Sequence, residues 1–401
     1  MKTFLLIGIG GVYNYGCEAI VRGTEEILRS EWPDCRIVYA SRRPQDDRAR
    51  LAGCNHEIIY RRMLGRYSIP NIARKLLSLM GIRWSPVLDS LAAIDDYDAV
   101  LSIGGDLYTL GHNGNFGASL PKFGDAVERR GVPYILWGAS VGPFSRNPRA
   151  ERFYRRHLSR ISLITARERD TVAYLAGIGV SSNVVPCADP AFTVAPEIVK
   201  NASATNQEIT IAINLSPLSM RHAGLSIEQG AEAQAGMIER IVRRYKARVI
   251  LIPHVVCGFA EGDDDLRYLR RVRETIAGPC KNRVEILDTD PGFIATKKTL
   301  IQCDLVIAAR MHCAINAMAA HVPTLLLSYS QKSLGMCEYI YGHRDWVHPV
   351  DAFGSDACLT TVGRMLEARE QIQASLSARI PGVQADARRP LQALKRLLAS
   401  G

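Results

Sequence analysis

The sequence predicts an α/β protein of two doubly wound, Rossmann-like domains facing each other across a cleft. Three observations predict it. Short apolar runs rich in β-branched residues alternate with longer segments of good helix formers. The alternation comes in two series, separated by a stretch at 193–207 that is rich in Pro, Asn, Ala, Ser and Thr and lacks apolar periodicity. The chain has 401 residues, enough for two cores. The expected domains are 1–195, 208–380, and a last helix within 381–401 that packs back on the first domain.

In the first series, strands are expected over 3–9, 36–40, 98–103, 132–137 and 161–166, and helices over 17–30, 71–80, 86–94, 149–158 and 167–177. Gly8, Gly10 and Gly11 follow a strand and open a helix, which suits a loop that lets a ligand approach the backbone. It is not a dinucleotide fingerprint, because Tyr13 takes the place of the third glycine in Gly-x-Gly-x-x-Gly. Glu18, in the first helical turn, suits a helix-capping carboxylate. Gly104-Gly105-Asp106 ends the third strand. Asp106 suits a hydrogen bond to a ligand hydroxyl, a base acting on it, or a turn. Arg167 leaves a strand at its carboxyl end, where a guanidinium can grip phosphate or carboxylate, or make a salt bridge at a helix start.

In the second series, strands are expected over 208–214, 248–252, 284–287, 304–307 and 324–327, and helices over 227–245, 263–276, 292–301, 359–376 and 386–399. His254 follows one strand as a polar contact or a structural histidine. The stretch 304–332 organises the rest. Arg310 and His312 fall where an apolar strand hands over to a helix rich in small residues, and Lys332 follows the next strand at the same sheet edge. Cations flanking a titratable imidazole at a helix N-terminus suit an acidic substrate whose reaction moves a proton. Spacing alone fits solvated strand-end charges equally well.

The formal charge of +10 points to an acidic partner. Arg42, Arg43, Arg48, Arg50, Arg61, Arg62, Arg66, Arg74, Lys75 and Arg83 carry much of it. They suit a solvated basic face, an anionic membrane surface or a pyrophosphate-bearing acceptor. No nucleic-acid motif accompanies them. No apolar run reaches the ~18 residues of a membrane span, and no signal peptide is expected. The 10 cysteines are scattered without a Cys-x-x-Cys pair or zinc spacing. Reduced thiols and no metal are expected, and a cytoplasmic location.

Ordered motifs along the chain resemble the polysaccharide pyruvyltransferase family. Asn14, Gly16, Glu18, Ala19 and Ile20 match its opening motif, with Cys17 where the family has aspartate. Asp98, Gly104 and Gly105 match a strand ending in three glycines, with Asp106 in the third place. Gly138-Ala-Ser140-Val-Gly142-Pro143 resembles its Gly-x-Ser/Gly-x-Gly-Pro loop. Arg167, Glu168 and Thr171 match Arg-Glu/Asp-x-x-Ser/Thr, and Asp189-Pro190-Ala191-Phe192 resembles the end of its first domain. Arg310-Met311-His312, Pro323 and Lys332 with Gly335 match its C-terminal signature, with His321 where glycine is usual.

The resemblance implies a glycosyltransferase-B type architecture. It also implies transfer of a pyruvyl group from phosphoenolpyruvate onto two sugar hydroxyls as a cyclic ketal. The implied catalytic residues are His312 and Asp106. Arg167, Arg310, Lys332 and His254 would bind the donor. Gly11, Asn14, Gly16, Glu18, Gly104, Gly105 and Ser140 would contact the acceptor or shape loops. No cofactor beyond this co-substrate is expected. The partners would be phosphoenolpyruvate, a saccharide or lipid-linked saccharide, and peripherally the inner face of the membrane. A nucleotide-sugar glycosyltransferase, another transferase using the same anion site, and a non-catalytic carbohydrate-binding relative share the architecture.

Overall fold

The structure is a computed structural model that describes residues 1–61, 68–82, 94–111, 113–194, 208–259 and 261–399. Arg62, Arg66, Arg83, most of the helix expected at 86–94 and nearly all of the linker lie outside the described residues. The chain divides into two compact units. The first holds Met1–Val12, Ile20–Pro190 and Asp386–Gly401, and the second holds Tyr13–Ala19 and Ala191–Ala385.

The chain begins β1 (Thr3–Ile7), α1 (Tyr15–Glu31), β2 (Arg36–Ser41), α2 (Pro44–Arg50), β3 (Glu57–Tyr60) and α3 (Ile69–Leu79). It continues with β4 (Ala99–Ile103), α4 (Ser119–Glu128), β5 (Tyr134–Ala139), α5 (Pro148–Leu158), β6 (Leu163–Ala166), α6 (Arg169–Gly177) and β7 (Val184–Pro186). The seven strands form one parallel sheet in the order β3-β2-β1-β4-β5-β6-β7. Strands covered on both faces have no solvent side to mark with polar residues. β1, β4 and β5 are accordingly buried at every position. Leu5, Ile7, Val100, Leu136 and Ile164 belong to one hydrophobic cluster there.

The second unit carries β8 (Thr210–Asn214), α7 (Pro217–His222), α8 (Ile227–Tyr245), β9 (Arg248–Leu251), α9 (Asp265–Thr275), α10 (Gly278–Lys281) and β10 (Val284–Ile286). It goes on with α11 (Gly292–Leu300), β11 (Leu305–Ala308), α12 (Met311–Ala319), β12 (Thr324–Ser328), α13 (Gln331–Tyr341), β13 (Val347–Pro349), α14 (Asp356–Glu367) and α15 (Arg369–Arg388). Its parallel sheet runs β10-β9-β8-β11-β12-β13. Local sequence fixes the helix starts. At α8, the Ser226 hydroxyl accepts the Gln229 N–H and the Gln229 side chain accepts the Ser226 N–H, both at 3.1 Å, closing a capping box. α16 (Pro390–Ala399) ends the described chain in the first unit, where Lys395 pairs with Glu31 at 2.6 Å and Arg388 with Glu26 at 2.8 Å.

Both sheets reverse direction once, between β1 and β4 and between β8 and β11. Ligands of such sheets bind beyond the carboxyl ends of the strands at these switch points. The loop Gly8–Gly11 follows β1, Gly104–Asp106 follows β4, Asn214 ends β8, and Arg310 follows β11. No helix among the described residues is long and apolar enough to cross a membrane.

Several elements differ from expectation. β3 and β13 are short and only half-buried, so they carry no apolar run. The helices expected at 359–376 and 386–399 are three, Asp356–Glu367, Arg369–Arg388 and Pro390–Ala399. His312 and Lys332 each stand inside the first turn of a helix rather than before one or in a loop. His321 has φ +60°, just past the end of α12, which explains why glycine suits that position.

Candidate functional site

In the second unit, four neighbouring strands deliver the expected residues to one sheet edge. β9 leads to His254, β8 ends in Asn214, β11 leads to Arg310 and His312, and β12 leads to Lys332. Because β11 and β12 are adjacent and parallel, α12 and α13 start side by side. Their first N–H groups lack intrahelical partners, and the edge is favourable for an anion.

Arg310 is the N-cap residue of α12, and its N–H donates to Asn214 Oδ1 at 2.9 Å. Its side chain is held by two carboxylates. Nε donates to both Asp265 oxygens at 3.2 and 3.3 Å. Nη2 donates to Asp265 Oδ1 at 2.8 Å, Asp263 Oδ1 at 2.6 Å and the Asp263 carbonyl at 3.0 Å. Asp265 is fully buried and also accepts the N–H groups of His254 and Val255, each at 3.1 Å. Burial raises the Asp265 pKa in spite of Arg310. Burial works against the Arg310 charge, but Asp265 and Asp263 more than offset it and raise its pKa. The guanidinium therefore holds the loop, and among the described residues only Nη1 is left to meet a ligand.

Residues 13–19 join the same edge. The Tyr15 N–H donates to the His254 carbonyl at 3.0 Å, the Val256 N–H donates to the Tyr13 carbonyl at 3.1 Å, and Asn14 pairs with Val255. The Asn14 side chain accepts the Gly16 N–H at 2.9 Å. Gly16 is then pressed against the His312 ring. An ideal β-carbon at residue 16 would stand 2.5 Å from His312 Cγ and 2.8 Å from its Cβ. Glu18 is 1% exposed and accepts the Phe293 N–H at 2.8 Å, so it caps α11.

His254 is 1% exposed, and its ring packs near Tyr15 and Phe293. Burial first, then the charges of His312 and Arg310, push its pKa well below the usual 6.5, so the ring is neutral. Its Nε2 is buried and has no hydrogen-bond partner among the described residues. Lys332 is half-buried in the first turn of α13.

The other expected residues gather in the first unit, where four motifs meet at the carboxyl ends of β4, β5, β6 and β7. Arg167 lies against Gly105, whose β-carbon would stand 2.7 Å from the guanidinium carbon. Its Nη1 pairs with buried Asp189, and its Nε donates to Ser140 Oγ at 3.1 Å. Ser140 donates to Glu168 Oε1 at 2.8 Å, and its N–H donates to the Gly105 carbonyl at 2.8 Å. Burial alone would lower the Arg167 pKa, but Asp189, Glu168 and Asp106 raise it. Arg167 thus pairs with a buried carboxylate and ties four loops together. Asp106 is exposed in the turn after β4. Gly104 has φ +124°, a conformation that favours glycine. Gly11 belongs to the first unit and Asn14, Gly16 and Glu18 to the second.

Asp263, Asp265 and Phe293 were not anticipated as site residues. The run Asp263-Asp264-Asp265 before a helix was the only sequence signal for the two aspartates. Glu25, Cys54 and His56, in the first unit, bring ligand atoms within 4.8 Å of one another. Hydrogen bonds already occupy that group. Glu25 accepts from Arg29 at 3.1 Å and from the Asn55 N–H at 2.8 Å and contacts His56 at 2.7 Å, while Arg22 donates to the Cys54 sulfur at 3.1 Å.

Solved structures share the architecture. UDP-GlcNAc 2-epimerase from Neisseria meningitidis, bound to UDP-GlcNAc, superposes with a TM-score of 0.60 at 11% identity, covering 99% of this chain and 100% of that one. HepE from Anabaena, in complex with UDP and glucose, gives 0.58 at 14% identity, covering 100% of both. At such identities the likeness speaks for the fold alone. In sequence, the chain is 25% identical over 404 residues to the amylovoran biosynthesis protein AmsJ of Erwinia amylovora, covering 92% of this chain and 93% of that protein. The model of the polysaccharide pyruvyl transferase family matches residues 14–331, from the Asn14 loop through α12 to the first residue of α13, and the chain belongs to that family.

Proposed function

We propose that the protein transfers the pyruvyl group of phosphoenolpyruvate to a saccharide, bridging two hydroxyls as a cyclic ketal and releasing phosphate. One observation carries the donor assignment. The paired N-termini of α12 and α13, which carry Lys332, Arg310 and His312, lie at one sheet edge of the second unit. A small dianion or trianion suits that edge. His312 is the group there suited to move a proton.

In the reaction, the methylene carbon of the enol gains a proton and the adjacent carbon becomes electrophilic. One sugar hydroxyl adds to that carbon. The second hydroxyl displaces phosphate, so two C–O bonds form and one breaks. Of the two hydroxyl protons, one balances the new methyl group and the other leaves with phosphate. His312 would deliver the proton to the methylene carbon. Arg167 would hold the loops around Ser140, Gly105 and Asp106. Asp106 would meet an acceptor hydroxyl.

The acceptor is a saccharide of a polysaccharide or its lipid-linked precursor, handled at the inner face of the membrane. The surface of α3 supports the lipid part. Ile69, Ile72, Leu76 and Leu79 are exposed along it, together with Met80 and Ile82 beyond its end, and Arg74 and Lys75 lie among them.

Thermal shift with candidate donors tests the proposal. A ligand that binds only the folded state at a hundred times its Kd adds about 2.7 kcal/mol of stability. Phosphoenolpyruvate is expected to raise the melting temperature, and UDP-sugars are expected to leave it unchanged. Stabilisation by a UDP-sugar alone would favour a glycosyltransferase. Incubation with phosphoenolpyruvate and glycosides should then yield a product heavier by one pyruvyl ketal.

A further inference from the structure

Arg61 follows β3 and is 8% exposed. Neighbouring arginines of the first unit are paired. Arg29 bonds Glu25, Arg36 bonds Glu57, Arg43 bonds Asp46, and Arg48 donates to the Ile58 carbonyl. The Arg61 guanidinium has no hydrogen bond or ion pair among the described residues. Asp47, the buried acid of this edge, is already occupied, by the Val12 N–H at 2.9 Å and by Ser41 Oγ. An unpaired charge that is nine-tenths buried is costly, and proteins rarely keep one without a use.

The charge beside it has the same sign. β2 and β3 are parallel, with Ser41 opposite Tyr60, and the Arg61 N–H donates to the Ser41 carbonyl at 2.6 Å. Arg42 and Arg61 therefore occupy matching positions one residue beyond that pair, on the same face of the sheet. The Arg42 side chain runs along the glycine loop after β1, where a β-carbon on Gly10 would be 3.6 Å from its Nη1. Burial first, then Arg42, lowers the Arg61 pKa.

We propose that Arg42 and Arg61 form an anion subsite of the first unit that takes the diphosphate of an activated saccharide. Two guanidiniums from matching positions on neighbouring strands repel each other until a group with at least two negative charges lies between them. A diphosphate meets both and leaves its outer oxygens for the N–H groups of the glycine loop. The identity of the ligand rests on the pyruvyltransferase assignment, but the anion site does not.

The test is calorimetric titration with inorganic pyrophosphate, without phosphoenolpyruvate. Wild-type protein is expected to bind pyrophosphate more tightly than orthophosphate, and Arg61→Gln and Arg42→Gln each to weaken that binding at least tenfold. Arg42 is exposed, so its variant keeps the test open if Arg61→Gln folds poorly. Unliganded Arg61→Gln should melt no lower than wild type, because an unpaired charge has been removed. A lower melting point with unchanged pyrophosphate binding would overturn the proposal, as would absence of binding to the wild type. Phosphatidylglycerol vesicles separate the two sources of phosphate. Co-sedimentation equal to wild type in Arg61→Gln supports a saccharide diphosphate. Its loss, with no pyrophosphate binding, would assign Arg61 to a lipid headgroup instead. If pyrophosphate binds but phosphoenolpyruvate does not stabilise the protein, the donor assignment fails and the subsite stands.

Discussion

The imidazole of His312 occupies the space that a side chain on Gly16 would need. A β-carbon there would stand 2.5 Å from Cγ of the ring, and contacts under 3.0 Å force something to move. Gly16 lies in the first turn of α1 and its N–H is held by Asn14, so the His312 side chain is the part that gives way. Gly16→Ala is therefore expected to shift the ring. Turnover should fall about a hundredfold, the size expected of a misplacement near 1 Å, while stabilisation by phosphoenolpyruvate persists. Steady-state kinetics with a melting curve checks it, and near wild-type turnover would remove His312 from the chemistry.

Arg310 and Lys332 should separate cleanly. Arg310→Ala strands Asp265, which is fully buried. Breaking such a pair costs about 3–5 kcal/mol. Lys332 is half-buried in the first turn of α13. Lys332→Ala should change stability by only about 0.5 kcal/mol and weaken phosphoenolpyruvate about tenfold or more. Urea unfolding decides, and an Arg310→Ala protein as stable as wild type would contradict the buried pair.

Much of the fold was legible because buried parallel strands are short continuous apolar runs. The strands at Arg36–Ser41, Ala99–Ile103 and Leu305–Ala308 show this. β3, with exposed Glu57 and Tyr60 at its ends, carries no such run. The site was legible only where residues close in sequence share a turn, as Arg310 and His312 do. The contact of Gly16 with His312 spans most of the chain, and no local pattern encodes it. The Asp265 partner of Arg310 was hidden for the same reason. Arg61 was visible only as one charge among ten, because counting charges does not reveal burial.

His254 should make stability fall in mild acid. Its folded pKa lies well below the 6.5 of the exposed ring, with burial the first cause. Above that value the ring is neutral in both states and has no effect. As pH falls below 6.5, the unfolded chain binds a proton that the folded chain refuses, so stability declines. The slope is at most about 1.4 kcal/mol per pH unit. His254→Gln should flatten the urea midpoint between about pH 6.5 and pH 5. An unchanged profile would mean that another group carries the dependence.

The apolar side of α3 predicts salt-tolerant membrane binding. Leu76 and Leu79 are 57% and 85% exposed. Burying a leucine side chain contributes about 1.5–3 kcal/mol, whereas each basic residue near an anionic surface adds about 1 kcal/mol that salt screens. Leu76→Ser with Leu79→Ser should reduce vesicle co-sedimentation at every ionic strength, and Arg74→Gln with Lys75→Gln only at low salt. Equal sedimentation of all three proteins would remove α3 from membrane binding.

His312 carries the chemical step in this proposal, and two substitutions separate its possible duties. It lies in the first helical turn after β11, against the Gly16 backbone, beside a buried arginine whose charge Asp265 and Asp263 already offset. The anion-binding contribution of that edge then comes mainly from the helix N-termini and Lys332, which His312 substitutions leave in place. His312→Ala should keep phosphoenolpyruvate affinity within a few-fold and lower turnover by about a hundredfold or more, the usual size of general acid–base catalysis. His312→Gln retains hydrogen bonding but cannot titrate, so it isolates proton transfer from positioning. Both variants should lose the same amount if the proton is what matters. Glutamine turning over near the wild-type rate would make His312 a positioning residue and send the search for the acid to Asp106 and Cys17, the latter in the first turn of α1 where the family carries a carboxylate.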